Sequence, residues 1–268
     1  APGSAGDGIP NVATFTVGGL ENNTDWEYSI DGGATWAAGS GTSFEITVDG
    51  DYTVVVRQTR GQKVSENSAS VEVTLDSSAP TVDSGNTASI DENADGGSSV
   101  YTATSNDHLE VTYSWAAGSD AALSIDASTG AVTLADSPDF ETQPSYGFTV
   151  VATDAAGNAT EQAVSLSVNN LDEVAPTITS GAAVAAIDEN TAAGQVIYTA
   201  TADDTADVTD GVTFSLKAGS DAALSIDAST GAVTLADSPD FETQPSYSFT
   251  MVATDAAGNS SEQALTLS

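Results

Sequence analysis

Short segments in which apolar and polar residues alternate run through the whole chain. In the first third, the segments 26–30, 44–48 and 52–56 each carry an apolar residue at every second position. A period of two is that of a β-strand with one buried and one solvated face. Turn signals such as Asp31-Gly32 separate the segments, and no stretch of useful length has helical periodicity. The pattern therefore predicts an all-β chain.

A block of thirty residues occurs twice without change. Residues 117–146 and 218–247 both read AGSDAALSIDASTGAVTLADSPDFETQPSY, an offset of 101 residues. An offset of this size is that of one small domain, so the repeat indicates tandem domains. In the first copy, the alternation predicts seven strands near 82–90, 98–104, 109–115, 122–126, 131–135, 145–153 and 161–168. Seven such strands within ~95 residues are typical of a β-sandwich.

Two joints that end in proline mark the domain boundaries. The segment 75–80 reads LDSSAP, and the segment 171–176 reads LDEVAP. Proline stiffens the start of the following strand and prevents a helix across the joint. The first ten residues are rich in Gly and Pro and predict a linker. We therefore expect three β-sandwich domains end to end, at 1–79, 80–174 and 175–268.

The charge balance restricts the partners of the chain. Four Lys and Arg residues stand against 39 Asp and Glu residues, a formal charge of −35 at pH 7. Nucleic acids and anionic membranes bind proteins through Lys and Arg, so the sequence excludes both as partners. A charge of this size destabilises a compact state unless cations offset it, and an excess of hard oxygen ligands favours Ca²⁺. We expect Ca²⁺ as the bound cofactor.

Several features argue against an enzyme. The chain has no cysteine and one histidine, His108, which has no counterpart in the second copy. Asp139 and Glu141 lie on one loop, whereas the carboxylates of a glycosidase flank the substrate from opposite sides. No apolar run reaches the ~20 residues that cross a bilayer, and the first residues are not a signal peptide. We expect a non-catalytic, monomeric piece of a longer secreted protein, with the neighbouring domains of that protein as its partners.

The first domain resembles a known family of modules. The segment 26–59 reads WEYSIDGGATWAAGSGTSFEITVDGDYTVVVRQT and is similar to the bacterial Ig-like domains of large secreted adhesins. The resemblance implies an Ig-like β-sandwich and assigns no site. A sugar-stacking role for Trp26 and Trp36 is the less favoured alternative, because aromatic residues at strand spacing usually fill a core.

Both later domains resemble cadherin repeats. The third domain carries, in order, Asp188-Glu189-Asn190, Ser225-Ile226-Asp227, Thr230-Gly231, Asp240-Phe241-Glu242 and Ala253-Thr254-Asp255. These motifs are similar to the cadherin-like extender repeats of bacterial RTX-type adhesins. The resemblance implies Greek-key sandwiches in which the Glu-Asn motif and the Asp-x-Glu pair of one domain share calcium with the linker and with loop aspartates of the next domain.

The resemblance also assigns calcium ligands residue by residue. For the joint between the second and third domains it implies Glu92, Asp139, Glu141, Asn170, Asp172, Glu173, Asp203 or Asp204, and Asp255. For the first joint we expect a poorer site with at most one ion, from Asp76, Asp107 and Asp154. The same types recur at Glu189, Asp240 and Glu242, where we expect an incomplete site because no fourth domain follows in this sequence. The second linker reads NLDEVAP instead of the family's Asp-x-Asn-Asp-Asn-x-Pro, so the number of ions stays open.

Three functions fit these observations to different degrees. The favoured one is an extender of a bacterial cell-surface adhesin, rigidified by calcium at its linkers so that it projects a distal binding module. An alternative is that this segment itself binds a sugar, a peptide or ice, which requires an exposed aromatic cluster or a flat array of Thr that the sequence does not clearly show. In a third reading the acidity is an adaptation to brine, and calcium then acts no more strongly than matched ionic strength.

Overall fold

All regular structure in the described part of the chain consists of β-strands. The computed structural model describes residues 9–10, 12–208 and 211–268. Every element within these ranges is a strand, which confirms the predicted all-β class. The described residues contain no helix long and apolar enough to cross a membrane. Most of the linker predicted at residues 1–10 lies outside the described residues. The chain divides into two compact units, Ala1–Asn169 and Asn170–Ser268.

Unit 1 begins with a seven-stranded domain. Its strands are β1 (Ala13–Thr16), β2 (Asp25–Ser29), β3 (Ala37–Ala38), β4 (Ser43–Ile46), β5 (Gly50–Arg60), β6 (Lys63–Val64) and β7 (Val71–Leu75). β1 pairs with β4, and β2 lies between β3 and the long β5, which also pairs with β6 and β7. Trp26 is 5% exposed and packs in the core with Phe44 and Leu75. Burial of Trp26 agrees with its reading as a core residue.

Unit 1 continues with nine strands that build a second domain. They are β8 (Thr81–Val82), β9 (Thr87–Asp91), β10 (Ser99–Thr102), β11 (Ser105–Asn106), β12 (Val111–Trp115), β13 (Leu123–Ile125), β14 (Ala131–Leu134), β15 (Ser145–Asp154) and β16 (Ala159–Asn169). One sheet has the order β10-β14-β13 and another the order β12-β15-β16-β9. Val132 and Leu134 of the first sheet pack with Phe148, Val150 and Leu166 of the second, so the core lies between the two.

The first strand predicted for this domain differs from the structure. The pattern predicts one strand over 82–90, but the chain forms β8 and β9 with a break between them. β8 pairs with β11, whereas β9 runs parallel to β16 in another sheet. In the break, the backbone N–H groups of Asp83 and Ser84 donate to the carbonyl of Thr104. Alternation alone cannot reveal a strand that changes sheets, because both parts keep the same period.

Unit 2 repeats this plan with one strand fewer. Its strands are β17 (Thr177–Ile178), β18 (Gln195–Thr199), β19 (Ala202–Asp203), β20 (Thr213–Leu216), β21 (Leu224–Ile226), β22 (Ala232–Leu235), β23 (Tyr247–Thr254) and β24 (Ser260–Leu267). The sheets have the orders β18-β22-β21 and β20-β23-β24. The described residues that correspond to β9 form no strand here, although Ile187 packs against the core. The described part of the chain thus has three separate cores, while the exact domain boundaries stay a prediction.

A carboxylate closes the turn between β13 and β14. Oδ1 of Asp126 accepts from the backbone N–H groups of Ser128 and Thr129 at 3.0 and 2.8 Å and from both of their hydroxyls. These bonds, led by that of the Ser128 hydroxyl, lower the pKa of Asp126 to about 2. Gly130 follows at a φ of 69°, where a side chain would also meet the carbonyl of Ala103. Asp227 makes the same bonds in unit 2.

The turn predicts a defined pH dependence for one variant. Asp126→Ala is expected to lower the melting temperature of its domain by a few degrees at pH 7, because four donors lose their acceptor. The folded pKa lies below the ordinary value of 3.8, so the contribution of Asp126 is complete above about pH 4 and disappears as the pH falls through about 2. Urea unfolding at stepped pH measures the difference. Exposed Asp136 supplies the control, since Asp136→Ala removes a charge outside this turn. If the difference in unfolding free energy between Asp126→Ala and the parent stays constant down to pH 2, the prediction is wrong.

Candidate metal centre

Within the described residues, the structure gathers acidic side chains into four clusters. In each cluster, one carboxylate oxygen per residue lies within 4.8 Å of the others. The first-linker cluster consists of Asp76, Asp107 and Asp154, and the second-linker cluster consists of Asp172, Asp204 and Asp255. The Glu92 cluster consists of Glu92, Asp139 and Glu141, and the Glu189 cluster consists of Glu189, Asp240 and Glu242. All four are made of residues that the sequence singles out. Asp203 and Glu173 fall outside them: both are exposed, and Asp203 pairs with Thr177 in a sheet.

The first-linker cluster joins the linker to the second domain. Asp76 follows β7, Asp107 follows β11, and Asp154 is the last residue of β15. Both oxygens of Asp154 are held by Asn158, whose backbone N–H and side-chain amide donate at 2.9 Å. The Asn158 amide also donates to the carbonyl of Asp76 at 3.3 Å. One asparagine therefore orients a loop aspartate and fixes the linker beside it.

Asp76 is the most buried carboxylate of the chain's described residues. It is 1% exposed, and its Oδ1 accepts from the backbone N–H of Ser78 at 3.1 Å. Its Oδ2 is fully buried and has no hydrogen-bond partner. Burial raises the pKa of Asp76, and the charges of Asp107 and Asp154 raise it further. A buried carboxylate oxygen with no donor is a costly arrangement that a bound cation would relieve.

The same linker also forms hydrogen bonds with the first domain. Asp49 accepts from the backbone N–H and the hydroxyl of Ser77, both at 2.9 Å, and from the hydroxyl of Ser78 at 2.7 Å. These bonds, led by that of Ser78, lower the pKa of Asp49. Asp49 was not among the predicted site residues, because it precedes a Gly and reads as a turn. The linker residues 76–78 thus form hydrogen bonds with side chains of both flanking domains.

The second-linker cluster repeats the arrangement within unit 2. Asp204 and Asp255 are 8% and 5% exposed, and Asp172 is half-buried. Oδ1 of Asp255 accepts from the backbone N–H groups of Gly258 and Asn259 at 2.6 and 2.8 Å, while its buried Oδ2 has no hydrogen-bond partner. The Asn259 amide donates to the carbonyl of Asp172 at 2.9 Å. The cluster again combines one linker aspartate with two loop aspartates.

Asn158 and Asn259 are site residues that sequence reasoning missed. Both end the segment Asp-Ala-Ala-Gly-Asn, at 154–158 and 255–259. The sequence suggests only a turn there, in which Gly157 and Gly258 take positive φ values of 86° and 103°. The repetition of the asparagine directly after each turn was a usable signal.

The Glu92 cluster lies where the second domain ends. Glu92 is 2% exposed; its backbone N–H donates to the carbonyl of Asn169 at 3.1 Å, and its Oε2 accepts from the backbone N–H of Phe140 at 2.9 Å. Asn93 follows with a φ of 60°, a left-handed conformation that asparagine tolerates. Exposed Asp139 accepts from Thr142 on the same loop. The buried glutamate thus fixes the loop that carries Asp139 and Glu141.

The Glu189 cluster has the same residues in a more open setting. Glu189, Asp240 and Glu242 are all exposed. Phe241 is 62% exposed, although Phe140 at the same position of the identical block packs against its core. A bond from the Thr243 hydroxyl lowers the pKa of Asp240. A cavity of about 310 Å³ opens beside Glu189 and Phe241. The two identical blocks therefore present different acidic surfaces.

The donor chemistry of the clusters fits a hard divalent cation. Every cluster offers carboxylate oxygens, with no sulfur ligand in the whole sequence other than one Met. Pairs of charges at such separations repel by roughly 3 kcal/mol at an effective dielectric constant of ~20. Ca²⁺ takes six to eight oxygens, including carbonyls and waters, so three carboxylates that each offer one or two oxygens supply a large part of one coordination shell. The buried, partnerless oxygens of Asp76 and Asp255 provide the test of fit.

Comparisons with known proteins bear on the later two domains. The sequence profile described as "Cadherin domain" matches residues 86–169 and 183–268. Protocadherin Fat 2 of Rattus norvegicus is 30% identical over 136 residues, and that of Mus musculus 31%; each match covers 49% of this chain and 3% of the relative. The chain thus spans a very small part of these curated relatives.

Solved structures show the same fold. The human Desmocollin-1 ectodomain matches with a TM-score of 0.57 and 14% identity, over 91% of this chain and 54% of the other. Drosophila N-cadherin EC1-4 matches with a TM-score of 0.53 and 19% identity, over 96% of this chain and 66% of the other. These likenesses confirm tandem cadherin-like β-sandwiches. Because the family profile covers well over half of the residues, in two consecutive copies, this chain belongs to the cadherin domain family.

Proposed function

We propose that this chain is a non-catalytic extender segment of a bacterial cell-surface adhesin, in which calcium at the linkers stiffens the segment so that it projects a distal binding module. The observation that carries the proposal is the pair of linker clusters. Each combines three aspartates with a buried oxygen that has no hydrogen-bond partner, on Asp76 in one and on Asp255 in the other. The family membership supports an extracellular adhesion role of the tandem repeats.

Calcium would act on the linkers themselves. Asp76 and Asp172 belong to linkers, and each clusters with two aspartates of the domain that follows it. A cation bound by such a set would fix the linker to that domain and remove the repulsion among the three charges. Glu92 adjoins Asn169, the last residue before the second linker, so an ion held by the Glu92 cluster would restrain the chain where that linker begins. Reach would then depend on calcium concentration.

We expect calcium to raise the melting temperature and to narrow the range of dimensions seen in small-angle scattering. A ligand present at 100 times its dissociation constant stabilises the folded state by about 2.7 kcal/mol per site. The measurement compares the full chain in calcium and in chelator at fixed ionic strength, with Na⁺ added to match. If calcium changes neither the melting temperature nor the maximum dimension, the proposal is wrong, and adaptation to brine becomes the better explanation of the acidity.

A double variant localises the effect. Asp139→Ala with Glu141→Ala removes two ligands of the Glu92 cluster and leaves both linker clusters intact. The calcium-dependent gain of the second domain is expected to fall, while the unfolding of the first domain stays unchanged. The matched control is Asp240→Ala with Glu242→Ala, the same residues in the exposed cluster. Equal loss in all three domains would point to a diffuse ion atmosphere instead of bound calcium.

A further inference from the structure

Asp207 contacts the second linker but belongs to none of the four clusters. It is half-buried and lies between β19 and β20. Its Oδ1 accepts from the side-chain amide of Asn170 at 3.2 Å, and its Oδ2 accepts from the backbone N–H of Glu173 at 3.3 Å. Both donors flank Asp172, the linker aspartate of the second-linker cluster. Asp207 therefore accepts hydrogen bonds from the linker on each side of a candidate ligand.

This pair of hydrogen bonds has no counterpart in the second domain. Asp107 and Asp204 occupy equivalent places after β11 and β19, while Thr112 and Thr213 are equivalent in the next strand because they pair with Thr153 and Thr254. Four residues lie between Asp107 and Thr112, and eight lie between Asp204 and Thr213. The third domain thus has four extra residues in the loop that carries Asp207. At the first linker, Asp49 of the preceding domain binds the linker instead.

The hydrogen bond from Asn170 fixes the orientation of its amide. A carboxylate only accepts hydrogen bonds, so the nitrogen of Asn170 must face Asp207. The amide oxygen then points to the other side, where it is buried and has no hydrogen-bond partner. Asp255 of the second-linker cluster has a buried oxygen in the same condition. Amide and carboxylate oxygens are both ligands that Ca²⁺ accepts.

We propose that Asp207 is a positioning residue that holds the amide oxygen of Asn170 toward a cation bound by Asp172, Asp204 and Asp255. Asp207 belongs to no acidic cluster and would act on the linker, from which both of its oxygens accept hydrogen bonds, and not as a ligand of the ion. Its bond to the Asn170 amide would turn the amide oxygen toward the ion, and its bond to the backbone N–H of Glu173 would hold Asp172 in place. This inference rests on the proposed calcium function and extends it to a residue outside the acidic motifs.

The test uses the full chain and calcium as the probe, with amide NMR signals as local reporters. The signals of Gly258 and Asn259 report on the second-linker cluster, and those of Gly157 and Asn158 report on the first-linker cluster. Outer residues that orient metal ligands are typically worth 10- to 100-fold in affinity, so Asp207→Ala is expected to weaken calcium binding at the Asn259 reporter by about tenfold. The Asn158 reporter should not change.

A swapped pair distinguishes positioning from a structural role. In the double variant Asn170→Asp with Asp207→Asn, the donor moves to residue 207, and a carboxylate oxygen replaces the amide oxygen at residue 170. This pair is expected to recover the affinity that Asp207→Ala loses. Asp203→Asn is the control for charge, since exposed Asp203 lies beside Asp204 but outside the cluster; it should leave the affinity within about twofold of the parent.

The outcomes separate this inference from the function on which it rests. Unchanged affinity in Asp207→Ala, an equal loss at both reporters, or a loss that the swapped pair does not recover would each overturn the role of Asp207 while calcium binding stands. If calcium moves neither reporter in the parent chain, the calcium function itself fails, and the inference fails with it.

Discussion

Replacing Asp76 with asparagine is expected to stabilise the metal-free protein at pH 7 and to abolish the stabilisation that we propose calcium to give at the first linker. The two effects have opposite signs because the buried charge destabilises the protein without a cation and would bind the proposed calcium ion when one is present. Asp76 is 1% exposed, and its Oδ2 has no donor. Asparagine has nearly the same shape, keeps an oxygen for the N–H of Ser78, and offers a donor toward Asp107 and Asp154.

The direction follows from the pKa. Burial, followed by the charges of neighbouring carboxylates, raises the pKa of Asp76 in the folded state above its ordinary value of 3.8. The folded state therefore binds the proton more tightly than the unfolded state, and metal-free stability falls as the pH rises from about 4 through the raised pKa. Above that range the penalty is complete. Asparagine has no such titration, so its advantage is largest at neutral pH and shrinks on acidification.

Calorimetry of protein stripped of divalent ions measures the first effect, and repetition with added calcium measures the second. We expect a gain of roughly 1 kcal/mol without metal, the scale of a typical single substitution, and the loss of about 2.7 kcal/mol of calcium stabilisation at 100 times the dissociation constant. Asp83→Asn is the control, because Asp83 is an exposed aspartate of the domain that follows the first linker. A metal-free Asp76→Asn protein that is less stable than its parent contradicts the argument.

The alternation of apolar residues was enough to predict most of the fold. The segment 145–153 reads as a strand with one buried face, and β15 buries Tyr146, Phe148 and Val150 on that face. The residues of the four clusters are all among those that the sequence singles out, because each motif places its carboxylates at the end of a strand or in a loop. Calcium binding by these clusters stays a prediction.

The contacts that fix the linkers could not be predicted from the motifs. Asp49 reads as a turn residue before Gly, yet it binds Ser77 and Ser78 across 28 and 29 positions of sequence. Asp207 lies in a loop whose length differs between the two copies, so no repeat pattern marks it. Such contacts depend on which segments meet in the folded chain. The period of apolar residues and the spacing of motifs contain no information about these meetings.

The two identical blocks also show that local sequence does not determine every contact. Phe140 and Phe241 have the same neighbours in sequence over thirty residues, but the first packs on its core and the second is 62% exposed. The difference accompanies β9, which pairs with β16 and leads directly into buried Glu92, whereas the residues before Glu189 form no strand. The packing of the phenylalanine in the two blocks thus differs together with the structure of a segment outside the block.

This difference leads to a second prediction, that equivalent glutamates contribute unequally to stability. Glu92→Ala is expected to lower the free energy of unfolding by about 2 kcal/mol in metal-free protein, the usual scale for a hydrogen bond to a buried charged group. Its Oε2 accepts from the N–H of Phe140, and removal leaves that donor without its acceptor. Glu189→Ala should cost less than ~0.5 kcal/mol, as for other exposed surface positions.

A competing effect must be separated from the lost hydrogen bond. Removing the charge of Glu92 also relieves repulsion from Asp139 and Glu141, but both are exposed, and solvent screens that repulsion. Glu92→Gln isolates the charge, because glutamine keeps an acceptor for the Phe140 N–H; we expect it to be close to neutral without metal and to weaken calcium binding. Urea unfolding of the three variants in chelator and in calcium decides between the effects. If Glu92→Gln is as unstable as Glu92→Ala, the charge and not the acceptor holds the loop, and if Glu189→Ala costs as much as Glu92→Ala, the two copies are equivalent after all.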